Sequence, residues 1–586
     1  MSEPPKHTNL GGEVDVDHMP VTTIFSNNHL HPVISDHVLT PDEEALVALG
    51  YKQEFKREFS LWSSFAVSFA LLGLLPSIAS TLFYGMGYAG TAGMTWGWLV
   101  AMIGIQAVAN SMAELCSAMP TSGGLYYAAA VLAPPGWGPI AAWITGWSNW
   151  LCQVTSSPSI AYSMASMVLA LKTLHEPEYT ATTWQVYLLT VAIMVSQSVL
   201  SSLPTRMLAR FNSAGTILNS VALLISLIVI LAGNNREAPK FNSSAEVWGT
   251  IDNQTDWPDG IAILMSFIAI IWTMSGYDSP FHLAEECSNA AIASPRSIVM
   301  TSSIGGILGW AFQMALAYTV VDIPSVIDDE LGQPFVTYLT QILNTRLVTL
   351  VTALTVISAF FMGQASMIAA SRVAYAYSRD GCFPLSSYWA RVNKHTDTPV
   401  NAVWLNTVIG CLLLLLMFGG GVVIDAIFSV GAISAYVAFA IPIAMKTIFA
   451  KDNFRKGPWH LGRFSTITGY ISIAFVTVMT PILCFPQYRG DNLTPDLMNW
   501  TVVVYFGPMC FALIWYYAYA YKFFKGPKVN VDHLIYAQSE NDTDPDTTIA
   551  STSKNGVIEG IEPVSPEDDT NGLGPKVEKR ATLTRS

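Results

Sequence analysis

The residues best able to do chemistry cluster at two interruptions of otherwise apolar sequence, Gly73-Leu-Leu-Pro76-Ser77 and Ser275-Gly-Tyr-Asp278-Ser-Pro280. Asp278 is a carboxylate inside an apolar run, where a charge is costly and by default marks function. It reads as a counter-ion to a substrate amine or as a protonatable coupling group. Equally, it could be a capping acid that accepts N–H groups of the helix that follows. At the first interruption, N–H groups of Ser77, Ile78 and Ala79 would open a half-helix whose positive end suits a carboxylate. Pro76 fits there because a first helical turn does not need its N–H. At the second, carbonyls of Trp272, Thr273 and Met274 would end a half-helix and suit an ammonium group. One pocket formed by Gly73, Pro76, Ser77, Ile78, Trp272, Thr273, Ser275, Gly276, Tyr277 and Asp278 would then hold both ends of an amino acid. Trp272, Tyr277 and Phe281 would shape it by size and could face a cation with their rings.

Charged residues gather at one further place. Lys56, Arg57 and Glu58 precede the first apolar run, and Arg372, Arg379 and Asp380 close the eighth. A gate built from Arg57, Arg372 and Asp380, with Arg57 paired to Asp380, is one reading; plain anchoring at a membrane face is the other. Glu114, Glu285 and Glu286 read as structural partners of Arg296 or another nearby arginine. His282 reads as a helix-end residue rather than a ligand. No phosphate loop, metal-ligand spacing or nucleophile set is present, so neither an enzyme nor a cofactor or metal is expected.

The elements that must position these residues are membrane helices. Of the 586 residues 51% are hydrophobic and 12% charged, about half the charged share of soluble domains. No Lys or Arg lies between Arg57 and Lys172, a stretch that suits lipid. Runs long enough to cross a ~30 Å hydrocarbon layer fall near 62–83, 92–113, 139–170, 184–203, 211–232, 261–280, 299–321, 347–376, 399–418, 422–446, 466–486 and 499–522. This predicts an all-α integral membrane protein with twelve transmembrane helices and the lipid bilayer as its partner. The net charge of −13 belongs largely to acidic tails, and no basic face exists for nucleic acid. The seven cysteines are scattered and read as small packing residues.

With the N-terminus inside, the loops facing out hold only Lys172, Arg236, Lys240, Arg346 and Arg489, and the other basic residues of the helical region face in, as the positive-inside bias requires. The sequons at Asn242, Asn253 and Asn492 then face outward and are candidate glycosylation sites, whereas Asn541-Asp-Thr would lie inside. Both termini are expected in the cytosol. The two interruptions fall in spans 1 and 6, with spans 3 and 8 both long, so the chain divides as two halves of opposite direction. Gly/Pro-broken spans at matching positions of inverted halves point to a secondary transporter. The division is 1–58, a disordered N-terminal tail; 59–232, spans 1–5; 233–260, an outer loop; 261–446, spans 6–10; 447–524, spans 11–12; and 525–586, a disordered acidic tail. A channel is disfavoured because no charged ring lines a pore.

Several segments carry a family resemblance. They are Gly50-Tyr-Lys-Gln-Glu-Phe-Lys-Arg-Glu-Phe-Ser60, Gly73-Leu-Leu-Pro-Ser-Ile-Ala-Ser80, Ala113-Glu114 with Met119-Pro-Thr-Ser-Gly-Gly-Leu-Tyr-Tyr127, Tyr277-Asp-Ser279 with Glu285-Glu286, Ala370 to Asp380 with Phe383-Pro384, and Gly457-Pro-Trp-His-Leu-Gly462. Together they resemble the fungal amino acid, choline and GABA permeases of the amino acid/polyamine/organocation (APC) superfamily, nearest the GABA group. The resemblance spans about residues 50–525. It implies a five-plus-five inverted repeat (LeuT-like, APC fold) with two extra C-terminal helices, alternating access, proton coupling by symport and a small amine or amino-acid substrate such as GABA. Choline or polyamine uptake is the alternative, and a nutrient-sensing receptor on a transporter fold is the reading from another class. The plasma membrane is favoured over the vacuolar one. Two departures stand out. The first break is Gly-Leu-Leu-Pro rather than the Gly-x-Gly of many relatives. Span 5 has no Lys, so the coupling site is unassigned.

Overall fold

Apolar runs of this length, rich in Ala, Leu, Ile and small polar residues, have one way to satisfy their backbone away from water, and that is helix. The computed structural model describes residues 22–26, 29–33, 40–51, 53–329, 331–419, 421–451 and 453–527, and the Asn541 sequon lies outside them. Among the described residues, twelve apolar helical spans follow in succession. Span 1 is Leu61–Leu72 and Leu74–Ala92, which a wide turn at Gly93–Gly97 joins to span 2, Trp98–Ala118. Span 3 is Gly138–His175, span 4 Thr183–Ser201 and span 5 Thr205–Ala232. Span 6 is Asp259–Thr273 followed by the one-turn helix Ser279–His282. Span 7 is Ala290–Thr319, span 8 Thr345–Arg379, span 9 Val400–Leu414 and span 10 Gly421–Ala444. Spans 11 and 12 are Ser465–Ile482 and Thr501–Ala518. The breaks sit in spans 1 and 6, and spans 3 and 8, with 38 and 35 residues, are the longest. This is the all-helical architecture, with broken spans 1 and 6, that the resemblance implies.

The polar side chains of the spans turn into the largely apolar bundle, and the faces turned outward are apolar. On span 5, Ile217, Leu224 and Ile228 are exposed, as lipid requires, while Asn212, Asn219 and Ser226 are buried. Thr216 turns inward as well, and its hydroxyl donates to Ala66 O of span 1 at 2.6 Å. Small residues let the helices close up. Along span 7, a Cβ on Gly305, Gly306 or Gly309 would run into Leu72, Met102 or Trp98, and Trp98 Nε1 donates to Gly306 O at 2.9 Å.

The N-terminal segment differs from a wholly disordered tail. A short antiparallel hairpin pairs Thr22–Ser26 with His29–Val33. Helix Pro41–Ala48 is closed by a capping box of Thr40 and Glu43, the reciprocal arrangement that satisfies two first-turn donors. Asp42 in turn accepts from Asn289 N (2.7 Å) and Ala290 N (3.1 Å) at the start of span 7. Leu46, Leu49, Tyr51 and Phe55 are buried, so residues 40–59 belong to the body of the bundle. Polarity alone hid this, because the apolar residues here are spaced among acids.

Candidate functional site

The two breaks are built differently. At the first, a single residue turns the chain: Gly73 has φ 47° and ψ 59°, a left-handed conformation that glycine adopts without a Cβ penalty. The second half-helix therefore opens at Leu74 and not at Ser77. Ser77 N donates to Gly73 O at 2.8 Å, and the Ser77 hydroxyl donates to Leu72 O at 2.7 Å. Ile78 and Ala79 lie inside the helix. Met362 covers the turn, its Sδ 2.7 Å from where a Gly73 Cβ would stand. The carboxylate cradle expected from Ser77, Ile78 and Ala79 is thus consumed by the break itself and roofed by span 8.

The second break is an irregular turn from Met274 to Asp278. Gly276, at φ 110°, presses on span 1: a Cβ there would lie 2.5 Å from Leu71 Cγ, and the Ser68 hydroxyl donates to Gly276 O at 3.2 Å. Asp278 makes no side-chain cap to the following turn, so the capping role is not realised. Instead it lines a cavity of about 30 Å³ with Trp272, Ser275 and Gly276, a space of the order of one water molecule. Four of the residues expected at a pocket meet here. Gly73, Pro76, Ser77, Ile78, Thr273 and Tyr277 do not line it; Tyr277 packs on Phe439 with ring centroids 6.0 Å apart.

The other walls come from Cys152, Gln153, Ser156 and Ile160 of span 3, Met362 and Ser366 of span 8, Gly431, Ala435 and Phe439 of span 10, and Leu71 of span 1. Sequence reasoning missed these, because Ser, Gln and Gly in apolar runs also serve ordinary helix packing. Gly431 carries the one recoverable signal. A Cβ there would stand 3.0 Å from the Trp272 ring and 3.3 Å from Thr155 Oγ1. A second cavity, of about 190 Å³, lies toward the end that carries the sequons, between Phe83, Tyr84, Tyr88, Met265, Ser429 and Tyr488.

Below the small cavity, the end rich in Arg and Lys is shut. Arg372 and Glu286 are both fully buried and meet twice, Nε to Oε1 at 2.7 Å and Nη2 to Oε2 at 3.1 Å. Arg379 meets Glu285 the same way, at 2.9 and 3.0 Å, and Glu285 also accepts from Thr121 and Ser122 N. The expected Arg57–Asp380 pair is not formed. Arg57 donates to Cys287 O (2.7 Å), Gln53 and Asp42 O, while Asp380 accepts from the Tyr51 hydroxyl at 2.8 Å and from Tyr126. The guanidinium fork of Arg57 finds its acceptors on its own segment, at Gln53 and Asp42 O, and on the turn after span 6, at Cys287 O, and, among the described residues, none on span 8. Glu114 pairs with Lys446 at 2.7 Å rather than with an arginine.

A sharp contrast follows. Among the described residues, Glu114, Glu285 and Glu286 each have a Lys or Arg partner, whereas the only ion-pair partner of Asp278 is His282, at 3.2 Å. His282 is the last residue of the one-turn helix, the helix-end position expected of it, and it is fully buried. Of the sequons, Asn242 is 8% exposed, accepts from Arg236 and donates to Ala317 O and Val320 O; its amide is occupied in the fold. Asn492 is exposed, and Asn253 partly so.

A family model described as amino acid permease matches residues 59–508. An uncharacterized amino-acid permease of Schizosaccharomyces pombe (strain 972 / ATCC 24843) is 59% identical over 495 residues, 84% of this chain and 91% of its own. A putative polyamine transporter of Candida albicans is 48% identical over 554 residues, 92% of this chain and 100% of its own. The amino-acid permease BAT1 homolog of Oryza sativa subsp. japonica is 32% identical over 498 residues, 83% and 95% of the two chains.

Proposed function

Because the chain belongs to the amino acid permease family, and is a permease rather than an enzyme, we propose that it carries an amine cation of the polyamine type by proton-coupled alternating access. The observation that carries this is Asp278, a buried carboxylate on the cavity wall with no Lys or Arg partner among the described residues. An ammonium group can supply that missing charge. A zwitterion such as GABA would also need a home for its carboxylate. At the first break the Ser77 N–H is not free for it, being bonded to Gly73 O, and Met362 lies over the turn. The name of the Candida albicans relative, a putative polyamine transporter, agrees with this chemistry.

Alternating access fits the seal. The cavity is smaller than any amine substrate, and the Arg–Glu pairs below it must part for release. The basic end is placed in the cytosol with both termini, the plasma membrane is the home favoured over the vacuole, and Asn253 and Asn492 are the glycosylation candidates.

The test is uptake of labelled spermidine by vesicles reconstituted with the purified protein, with putrescine, choline and GABA as competitors. Spermidine should be carried and putrescine should compete. Asp278→Asn, which keeps shape and loses charge, should weaken apparent affinity by about 2 kcal/mol or more, roughly 30-fold. Saturable GABA uptake that polyamines neither share nor inhibit would overturn the assignment in favour of a zwitterion.

A further inference from the structure

The buried imidazole beside Asp278 has two faces, and each meets a different field. Its Nε2 is 3.2 Å from Asp278 Oδ2, a carboxylate at hydrogen-bond distance. Its Nδ1 has no hydrogen-bond partner. It faces Gly124, whose Cβ position lies 3.6 Å away, at the first turn of helix Gly124–Leu132. A helix N-terminus carries partial positive charge and disfavours a cation. Asn149 Nδ2 stands 3.4 Å from Nε2 and donates to the Tyr377 hydroxyl at 2.9 Å. With Nε2–H turned to Asp278, this amide packs beside the ring and adds no charge to it.

We propose that Asp278 and His282 form one proton-exchanging site, in which the ring holds a proton at Nδ1 only while no amine occupies Asp278. Without substrate, the carboxylate supports an imidazolium. An arriving ammonium spends the carboxylate's charge and adds a second cation, so the ring is left between two positive neighbours. The Nδ1–H bond then breaks, and the proton passes to water on the side that is open. Nε2–H stays on Asp278. The coupling is therefore an exchange of amine for proton. This rests on the amine reading above and supplies the coupling site that a span 5 lysine does not.

Other titratable groups do not obscure the pair. Cys152 on span 3, Tyr277 on span 6, Tyr377 on span 8 and Tyr436 on span 10 face Asp278, and thiol and phenol side chains are neutral near pH 7. Tyr126 of the Gly124–Leu132 helix bonds Asp380. Arg372 and Arg379 are held by Glu286 and Glu285.

The experiment is calorimetric titration of the detergent-purified full chain with spermidine in two buffers of different ionisation enthalpy, between about pH 5.5 and 7.5, the range histidine spans. Binding should release about one proton per amine, and affinity should rise with pH. His282→Gln keeps a donor at the ε position and cannot titrate; it should bind with little proton release and a flat pH profile. Asn149→Asp sets a charge beside Nε2 and should move the profile upward by about one unit or more. In vesicles, an acidic interior should drive spermidine accumulation and an acidic exterior should not. Release of no proton, a wild-type profile in His282→Gln, or uptake driven only by an acidic exterior would each overturn the proposal. A protein that binds and carries no amine at all takes down the function proposed above along with it; one that carries spermidine independently of pH removes the exchange site alone.

Discussion

Replacing Glu286 with glutamine tests the seal beneath the cavity, and its size follows from burial. Arg372 and Glu286 expose nothing to solvent and meet at 2.7 and 3.1 Å, so neither can turn to water when the other is removed. Arginine stays charged at any accessible pH. Its remaining side-chain contact is Ser371 Oγ at 3.1 Å, a neutral acceptor. Leaving a buried charge without its partner costs about 3–5 kcal/mol, a large part of the 5–15 kcal/mol that holds a typical domain folded. Glu286→Gln should therefore lower Tm by roughly 5 °C or more in detergent, followed by fluorescence-detected size exclusion. The double change Glu286→Leu with Arg372→Met should recover most of the loss, because removing both charges leaves none stranded. Lys56–Asp397 is the control. Its lysine side chain is 70% exposed, and Lys56→Ala should leave Tm unchanged, since exposed pairs are screened. A Glu286→Gln protein as stable as wild type, or a double variant no better than the single one, would refute the idea that this pair holds the seal.

The same seal gives a chemical readout. Cys287 is fully buried beside Glu286, so Glu286→Gln should speed its modification by a maleimide applied from the basic end, checked by mass spectrometry. Gly276→Ala combines a φ of 110° with a contact of 2.5 Å to Leu71; it should cost about 2 kcal/mol or more in thermal unfolding, and Leu71→Ala should restore only part. Asp42→Ala removes two acceptors from the start of span 7 and should cost about 1 kcal/mol, with faster hydrogen exchange at Asn289 and Ala290. Asp256, in the loop before span 6, is held below the usual aspartate range by Arg489 N and Asn492 Nδ2. A lowered value means its contribution is present above the ordinary aspartate value, near pH 4, and is lost as pH falls through the lowered one. Protection of the Arg489 amide, taken relative to its intrinsic exchange rate, should therefore fall only at pH below the ordinary aspartate range.

The helices and their two breaks were legible because membrane spans announce themselves by length and apolarity, and because glycine and proline mark the interruptions. Where the first break begins was not. Pro76 tolerates any position in a first turn, so the same letters allow a start at Leu74 or at Ser77, and Met362 decides nothing until span 8 is folded against it. The acids near the basic end were read as structural partners of arginines, but which arginine depends on contacts across 86 and 94 residues. His282 ends its helix as expected, but its burial was not legible, for a related reason. Four residues after Asp278 is one helical turn, but the turn is isolated and short, and only the packing of Gly124 and Asn149 around the ring shows that it faces inward.

These differences bear on selectivity through charge balance. If both breaks presented bare dipoles, as the letters allowed, a zwitterion would be the natural guest, one end at each. Instead the first break closes on itself and the second keeps an anion. A buried anion without a cation is unstable unless something else neutralises it, and within this site a proton, on Asp278 itself or on His282 beside it, or an arriving ammonium can do so. Substrate and proton then answer the same electrostatic need at the same carboxylate. Coupling requires no relay across the bilayer under this arrangement, only a site too small and too poor in counter-charge to hold both. Enlarging it should uncouple the two. Met362→Ala, which removes the cover over Gly73 while leaving Asp278 and His282 in place, should let spermidine bind with less than one proton released per amine. An unchanged proton count in that variant would show that exclusion is set by charge alone and that the size of the site plays no part.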